Sequence, residues 1–479
     1  MSDVIVVGGG LAGLAGAVAL TDAGLKVTLY ERRRILGGRA SSFVHPASGE
    51  LVDNCQHILL RCCANLIDFY TRLGVENGIV FQDRIPFIDE ANQISVIQGT
   101  SLPVPLHLLP SFFRLKSLGW KDKLSVSYAM MHMMWRTSRW GPNPLHGSSP
   151  SPHLPLSMQN WLESHQATDR SIEAFWRPIL ISALNDELDD IDADYGIMTI
   201  VKAFLSNRLG YQVGLPVVPL GDLYVPCIDY LEQRGSHVVL DQGVTDLMVE
   251  DGCISNITLQ DGTTAQAEAY LSALPFDILL KVLPDADVAR WDYFNALRHL
   301  EVSPITAVHV WFDRTVTDLN YAAVLGRTVQ WVFNQTLRDP DGGSSTGAGT
   351  YLGLVVSASD AWMKQPQQVI IEQAMEDLRS LFPAVKDAKL LKAIVVKEGR
   401  ATFAPKPGCD PLRPEPVSPI SNLYVAGDWT QTGWPATMES AVRSGYQSAE
   451  RILSALGKPQ SVLQPEMPAE GLMKFLIGG

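Results

Sequence analysis

The stretch DVIVVGGGLAGLAGAVALTDAGLKVTLYE, residues 3–31, decides the fold. Val4 to Val7 is a short apolar run, and Gly8 to Gly10 is a glycine turn. An Ala/Leu-rich segment comes next and ends near Gly24, and Lys26 to Tyr30 is a second apolar run closed by Glu31. Strand, tight turn, helix and strand in that order open a parallel α/β unit. Gly8, Gly10 and Gly13 have the spacing G-x-G-x-x-G. The first permits the turn, the second lets a pyrophosphate approach the backbone at Leu11 and Ala12, and the third lets helix pack on strand. The phosphates then meet a helix N-terminus, whose unpaired N–H groups and dipole favour an anion. Glu31 stands where a carboxylate accepts ribose hydroxyls. The stretch therefore predicts a Rossmann-like dinucleotide-binding domain.

The residues after Glu31 point to FAD rather than NAD. ERRRILGGRASS, residues 31–42, runs from the acid through Arg32 into a second glycine pair, Gly37 and Gly38, and then Arg39, a charge suited to the second phosphate of an extended dinucleotide. Near the other end, NLYVAGDWTQTGWPATMESAVRSGYQSAERIL, residues 422–453, reads as a strand, a Gly427–Asp428 turn and a helix beginning near Thr437. Asp428 is placed to accept from a ribityl hydroxyl. The helix start, with Ala436, Thr437 and Met438, is placed to stabilise negative charge on a reduced flavin ring.

The 479 residues are too many for one core, so two lobes are expected. The segments 1–85, 212–290 and 395–457 are assigned to an α/β FAD-binding domain. Segments 86–211 and 291–394 form an α+β substrate domain inserted discontinuously, and 458–479 a C-terminal tail. Residues 235–275 read as a meander with Asp-Gly turns at 251–252 and 261–262, and Val244 falls at the adenine edge. PDGGSSTGAGT, residues 340–350, reads as a flexible loop.

A net charge of −13 argues against nucleic acid as a partner. Six scattered cysteines without a basic leader imply reduced thiols and a cytoplasmic setting. Residues 101–147 differ from the rest. Six basic side chains (Arg114, Lys116, Lys121, Lys123, Arg136, Arg139) and one acid, Asp122, are interleaved there with PLHLLPSFF and AMMHMMW. A cationic, apolar segment suits a helix lying on anionic lipid. Leu106, Leu108, Phe112, Phe113 and Trp120 are the expected lipid contacts, with Met130, Met131, Met133 and Met134 in the core.

LVDNCQHILLRCC, residues 51–63, holds Asp53, Cys55, His57, Cys62 and Cys63. These are zinc-type ligands, but the spacing lacks two separated pairs, and no metal is expected.

Five stretches carry a resemblance: DNCQHILL (53–60), FWRPILISALN (175–185), GLPVVPLGDLYVPCIDYLEQRG (214–235), EGRATFAP (398–405) and AGDWTQTGWPATMESAVRSG (426–445). By them the chain resembles the amine-oxidase and phytoene-desaturase superfamily of FAD flavoproteins. More narrowly, it is similar to the squalene-associated FAD-dependent desaturases, or hydroxysqualene dehydroxylases, of bacterial squalene and hopanoid synthesis. The resemblance implies that DNCQHILL passes the flavin ring, with Gln56 against the cofactor and Cys55 where the family has glycine. It makes His57 the candidate catalytic acid or a group that only hydrogen-bonds backbone or flavin, and Asp53 a structural acceptor of backbone N–H bonds or the next candidate catalytic proton source.

The implied reaction replaces the hydroxyl of hydroxysqualene with hydride from flavin, which a separate electron donor must reduce, at the face of the inner membrane. Arg400 is expected on flavin or Asp53, or as an ordinary surface arginine, and Trp429 and Trp434 either face a substrate cation or simply pack. Alternatives are a carotenoid-type desaturase, an amine oxidase and a flavin-free, prenyl-protein-escort-like scaffold.

Overall fold

The computed structural model describes residues 2–140, 155–338 and 349–477. Most of the expected loop at 340–350, and residues 141–147 of the cationic segment, lie outside the described residues.

The opening unit forms as the spacing predicts: β1 (Ser2–Val7), α1 (Leu11–Asp22) and β2 (Val27–Tyr30). With β3 (His237–Val239), β4 (Ala267–Ser272) and β5 (Leu423–Val425) they build a five-stranded parallel sheet in the order β3-β2-β1-β4-β5. Val4, Ile5, Val6 and Val7 are all buried, as a strand covered on both faces requires. Between β3 and β4, residues 244–265 leave the sheet as a separate three-stranded antiparallel ribbon. Its Asp251–Gly252 turn has φ of 50° and 78°, the mirror-image turn that matches strand twist.

The helices that position the site are α2 (Ala64–Leu73), α3 (Trp120–Trp140), α4 (Arg177–Leu184), α5 (Met438–Ala455) and α6 (Met473–Ile477). α5 packs directly on α1. A Cβ on Gly445 would lie 2.2 Å from the Ala12 carbonyl oxygen and 2.9 Å from the Gly16 nitrogen. At its first turn the buried Glu439 turns outward from its own helix to cap another. Its carboxylate accepts from the Leu66 N–H at 2.8 Å and from the Asn65 side-chain amide at 2.9 Å, satisfying the start of α2.

The second lobe is a seven-stranded sheet, in the order Leu390–Phe403, Val302–Phe312, Thr350–Ser357, Trp331–Asn334, Tyr321–Val324, Arg84–Ile88, Ile94–Gln98. Two expectations are corrected here. The divide drawn at 85/86 falls inside the strand Arg84–Ile88. The divide drawn at 394/395 falls inside a strand, because Leu390–Phe403 pairs along its length with Val302–Phe312. The tail is ordered by bonds to both lobes: Gln464 N–H to Asn65 (2.8 Å), Glu470 N–H to the Ser206 carbonyl (2.9 Å) and Leu472 N–H to the Val104 carbonyl (2.9 Å). Among the described residues no helix is long and apolar enough to cross a membrane.

Gly445→Val overpacks the α1–α5 contact. It is expected to cost about 2–3 kcal/mol in urea unfolding, whereas Gly457→Ala, where nothing lies within 4 Å, should cost less than about 1 kcal/mol through its φ of +73°.

Candidate active site

The three fingerprint glycines divide by function. Gly8 has φ +110°, and a Cβ on Gly13 would lie 1.9 Å from the Gly8 carbonyl oxygen, so the turn itself needs both. Gly10 is in extended backbone, and a Cβ there would meet nothing nearer than the Gly38 Cα at 3.8 Å. The fold has no use for a glycine at that position. The open space lies before the N-terminus of α1, which no side chain caps, and it suits a pyrophosphate held by the N–H groups of Leu11, Ala12 and Gly13.

Glu31 is buried at the end of β2. Its two oxygens accept from the Gly9 N–H (2.7 Å) and the Arg33 N–H (2.8 Å), which fixes the carboxylate and leaves lone pairs for a ribose. The Gln242 N–H bonds to the Glu31 carbonyl at 3.0 Å, and Gly243 packs on the Arg32 side chain, so Val244 and Arg32 are brought to the same edge.

Arg39 and Asp428, assigned from opposite ends of the chain, form an ion pair, and Arg39 also donates to the Ala401 carbonyl at 2.7 Å. Gly427 donates its N–H to Ser444 Oγ on α5 at 2.8 Å. Thr437 is the N-cap of α5, its hydroxyl accepting from the Ser440 N–H at 3.1 Å, with Ala436 before it and Met438 as the first helical residue.

The loop between Asp428 and Trp434 is shaped by a residue that sequence reasoning missed. Arg413 is 3% exposed and donates to the carbonyls of Asp428 (3.2 Å), Thr430 and Trp434 (2.9 Å), and to Tyr195 Oη (2.5 Å). Its only local signal is an arginine between prolines in PLRPEP, residues 411–416.

The segment 53–57 is held at every side chain but one. Asp53 accepts from Ser42 Oγ at 2.6 Å and the Leu220 N–H at 3.1 Å, which is the part of a structural acceptor. Asn54 donates to the Arg39 carbonyl (3.1 Å) and Glu398 (3.3 Å). Gln56 accepts from Gln335 Nε2 at 2.7 Å, across the two lobes. Cys55 is buried, and that burial pushes its thiol up to about 12, so it stays protonated.

His57 Nδ1 lies 2.9 Å from the Cys55 carbonyl, which only accepts, so Nδ1 carries the proton and Nε2 the lone pair. Burial lowers the His57 pKa below its ordinary 6.5, with Arg39 adding to the shift and the Cys55 carbonyl, Asp53 and Glu398 opposing it. At neutral pH the imidazole is therefore an acceptor. Its bond to the Cys55 carbonyl is the orienting role expected as the alternative to that of an acid.

Arg400 pairs with Asp277 at 3.0 Å and is half exposed, and the next residue, Ala401, gives its carbonyl to Arg39. Trp434 has its π face occupied by the chain's own cations, Lys202 Nζ at 5.2 Å and Arg443 Cζ at 5.9 Å. Trp429 is buried, with its indole N–H on the Leu274 carbonyl. Cys62 and Cys63 are buried at the start of α2, as small apolar groups.

A narrow cleft opens between residues 97–130 and 175–205. Leu108, Phe112, Met130, Phe175, Ile179 and Phe204 line it, with Ser127 as the one hydroxyl among its lining residues. Phe175 and Phe204 both come from π-helical turns, Ile172–Trp176 and Val201–Leu205, a distortion frequent at functional sites. In the neighbouring sheet the Tyr321, Phe333 and Trp331 rings lie 5.9–6.3 Å apart, tied to α4 by the Trp331 indole N–H on Ser182 Oγ. Ile58 and Leu60 pack on the same core cluster as Ile179, Phe204 and Trp331. The residues after His57 and the cleft lining thus belong to one continuous hydrophobic core.

Gly10→Val should fold with wild-type stability yet purify without FAD, read as the ratio of flavin to protein absorbance, because its side chain clashes only with the ligand. Arg413→Met should lower stability by about 3–5 kcal/mol and weaken FAD retention on gel filtration, since it leaves buried carbonyls unpaired.

Residues 11–453 match the family described as flavin containing amine oxidoreductase. The zeta-carotene desaturase of Synechocystis sp. is 27% identical over an alignment covering 96% of this chain and 99% of that protein. The 15-cis-phytoene desaturase of Solanum lycopersicum is also 27% identical, over 94% of this chain and 77% of that protein. Among solved structures, a redesigned putrescine oxidase superposes with a TM-score of 0.73 at 16% identity, covering 95% of this chain and 99% of that one. The two glycine turns, the acid at the end of β2 and the match along most of the chain agree: the chain is an FAD-dependent oxidoreductase of the flavin containing amine oxidoreductase family.

Proposed function

We propose that the enzyme exchanges hydride with a long acyclic isoprenoid chain. The observation that carries this reading is the cleft, whose lining has one hydroxyl and no charged group. A flexible hydrocarbon gains by leaving water there, while a protonated amine would lose its hydration without a partner, which disfavours amine oxidation. Bound FAD supplies the acceptor or donor of the hydride. A separate electron carrier returns it to its starting state.

Dehydrogenation of a polyene precursor is the direction we place first, and two observations support it. The zeta-carotene and 15-cis-phytoene desaturases reported above are named for carotenoid substrates, and they align with nearly the whole of this chain. His57 presents a lone pair at Nε2, which suits accepting a proton from substrate. In that direction one C–H leaves as hydride, the neighbouring C–H leaves as a proton, and a C=C bond forms. The apolar walls exclude water from the electron-poor carbon. Asp53, Asn54 and Gln56 hold the irregular segment that carries the imidazole.

The second reading is dehydroxylation of hydroxysqualene, favoured by the stretches DNCQHILL and EGRATFAP and the C-terminal AGDWTQTGWPATMESAVRSG. There the C–O bond breaks, water leaves with an added proton, and hydride replaces it. That direction needs a proton donor other than neutral His57.

Anaerobic single turnover separates them. Oxidised enzyme mixed with phytoene should bleach the flavin band, whereas reduced enzyme mixed with hydroxysqualene should recolour it only if the second reading holds. If neither mixture changes the band, the isoprenoid reading falls. His57→Ala should keep FAD and slow the productive half-reaction by roughly 10²–10⁴-fold. The sign comes from the lowered pKa. A base must be neutral, so the wild-type rate should rise with pH through a value below 6.5 and be level at neutrality. An acid would give a rate that falls across the same range, and in either case the limb should vanish in the variant.

A further inference from the structure

The outer face of α3 carries an apolar stripe that the core does not use. Trp120 (71% exposed), Leu124 (64%), Tyr128 (37%), Met131 (58%) and Trp135 (59%) succeed one another at intervals of four, four, three and four residues. At 100° per residue they fall within one narrow sector, while Val126, Ala129, Met133 and Thr137 on the opposite side are buried. The stripe is about 22 Å long at 1.5 Å per residue. α6 packs against α3 and adds Phe475, 87% exposed, with Leu472 and Leu476 beside it. The Leu472 N–H on the Val104 carbonyl pins this segment next to Leu106 and Leu109, exposed residues at the cleft that Leu109 helps line.

Charge around the patch favours one kind of partner. The acid Asp122 is used internally, accepting from the Gly119 N–H and Thr168 Oγ. Lys123 is buried with its ammonium on the Phe113 carbonyl, and Arg136 pairs with Asp194, so neither faces outward as expected from sequence. Phe112 is likewise in the core rather than on the surface. Arg114, Lys116, Lys121 and Lys474 remain exposed and make no ion pair among the described residues. A cationic rim on an otherwise acidic protein, around exposed tryptophans, matches the interface of an anionic bilayer.

We propose that the outer stripe of α3 and the C-terminal helix α6 together form a docking surface for an anionic phospholipid bilayer, which seats the mouth of the cleft against the lipid. That the cleft then draws its substrate from the bilayer rests on the proposed function. The docking itself does not.

The test is flotation of the full-length, FAD-loaded protein with phosphatidylcholine vesicles, with and without phosphatidylglycerol. The protein should float with the anionic vesicles and stay largely behind with the neutral ones. Phe475→Ser and the pair Leu124→Ser/Met131→Ser should each lower the bound fraction roughly tenfold, with the flavin absorbance unchanged as the control for folding. Lys121→Glu/Lys474→Glu should remove the preference for anionic lipid.

Negligible flotation in both lipids overturns the proposal, as does wild-type flotation by the Phe475 and Leu124/Met131 variants. A Leu124/Met131 change that instead splits a dimer on gel filtration assigns the stripe to a second copy and also overturns it. No substrate is present in flotation, so failed turnover with intact flotation removes only the reading of the reaction.

Discussion

The contact between the first and last long helices sets the geometry of everything else. At Gly445 α5 comes so close to α1 that a Cβ would sit 2.2 Å from the Ala12 carbonyl oxygen. This brings the turn before α1 and the turn before α5 to the same edge of the sheet, one for the phosphates and one for the ribityl and ring. Residues one step away depend on it. Ser444, next to Gly445, holds the Gly427 N–H, and Asp428 then reaches Arg39. Glu439, at the start of the same helix, caps α2 and so fixes the end of the segment that carries His57. A single large side chain at the crossing would disturb the cofactor cradle, the ion pair and the cap together.

The nucleotide-binding half was legible because its signals are local. A buried strand, a glycine turn and an apolar helix each need only a few consecutive residues, and the structure places them within two residues of the sequence reading. The start of α5 at Thr437–Met438 was legible for the same reason, a threonine ahead of an amphipathic run. What sequence could not show depends on partners far along the chain. Arg413 looks like one more loop arginine until the carbonyls of Asp428, Thr430 and Trp434 converge on it. The strands Arg84–Ile88 and Ile94–Gln98 are five residues each, one with a proline, and join a sheet whose other strands come more than two hundred residues later. The length of Leu390–Phe403 was hidden by its Glu-Gly-Arg interruption, which in the structure is still paired with Val302–Phe312.

The candidate site shows the same division. The Asp53–His57 segment was identified from its polar residues in an apolar run, but the state of each group is set by its surroundings. Asp53 is committed to Ser42 and Leu220, and the imidazole is kept neutral by burial and oriented by the carbonyl two residues before it. The tryptophans near the flavin tail illustrate how charge is handled in a low-dielectric interior. Trp434 lies between Lys202 and Arg443, and both cations are matched by Glu466 from the tail, which also accepts from the Trp434 indole N–H at 3.1 Å. Two buried cations beside an aromatic ring need such an acid, because an unpaired charge there would be strongly destabilising.

The separation of those partners has a consequence for how the enzyme is made. Arg39 and Asp428 are 389 positions apart, and Asn65 and Glu439 are 374 apart. During synthesis β1, α1 and β2 emerge well before β5 and α5, and α2 has no cap until residues 423–455 have left the ribosome. The apolar faces of α1 and of the first strands must wait through translation of the entire substrate lobe, at about 5–20 residues per second. Folding of the cofactor domain is thus a late, long-range event with a high loop-closure cost. FAD arriving at that point joins two distant parts of one chain, so its availability during expression should govern the yield of folded protein as much as its activity.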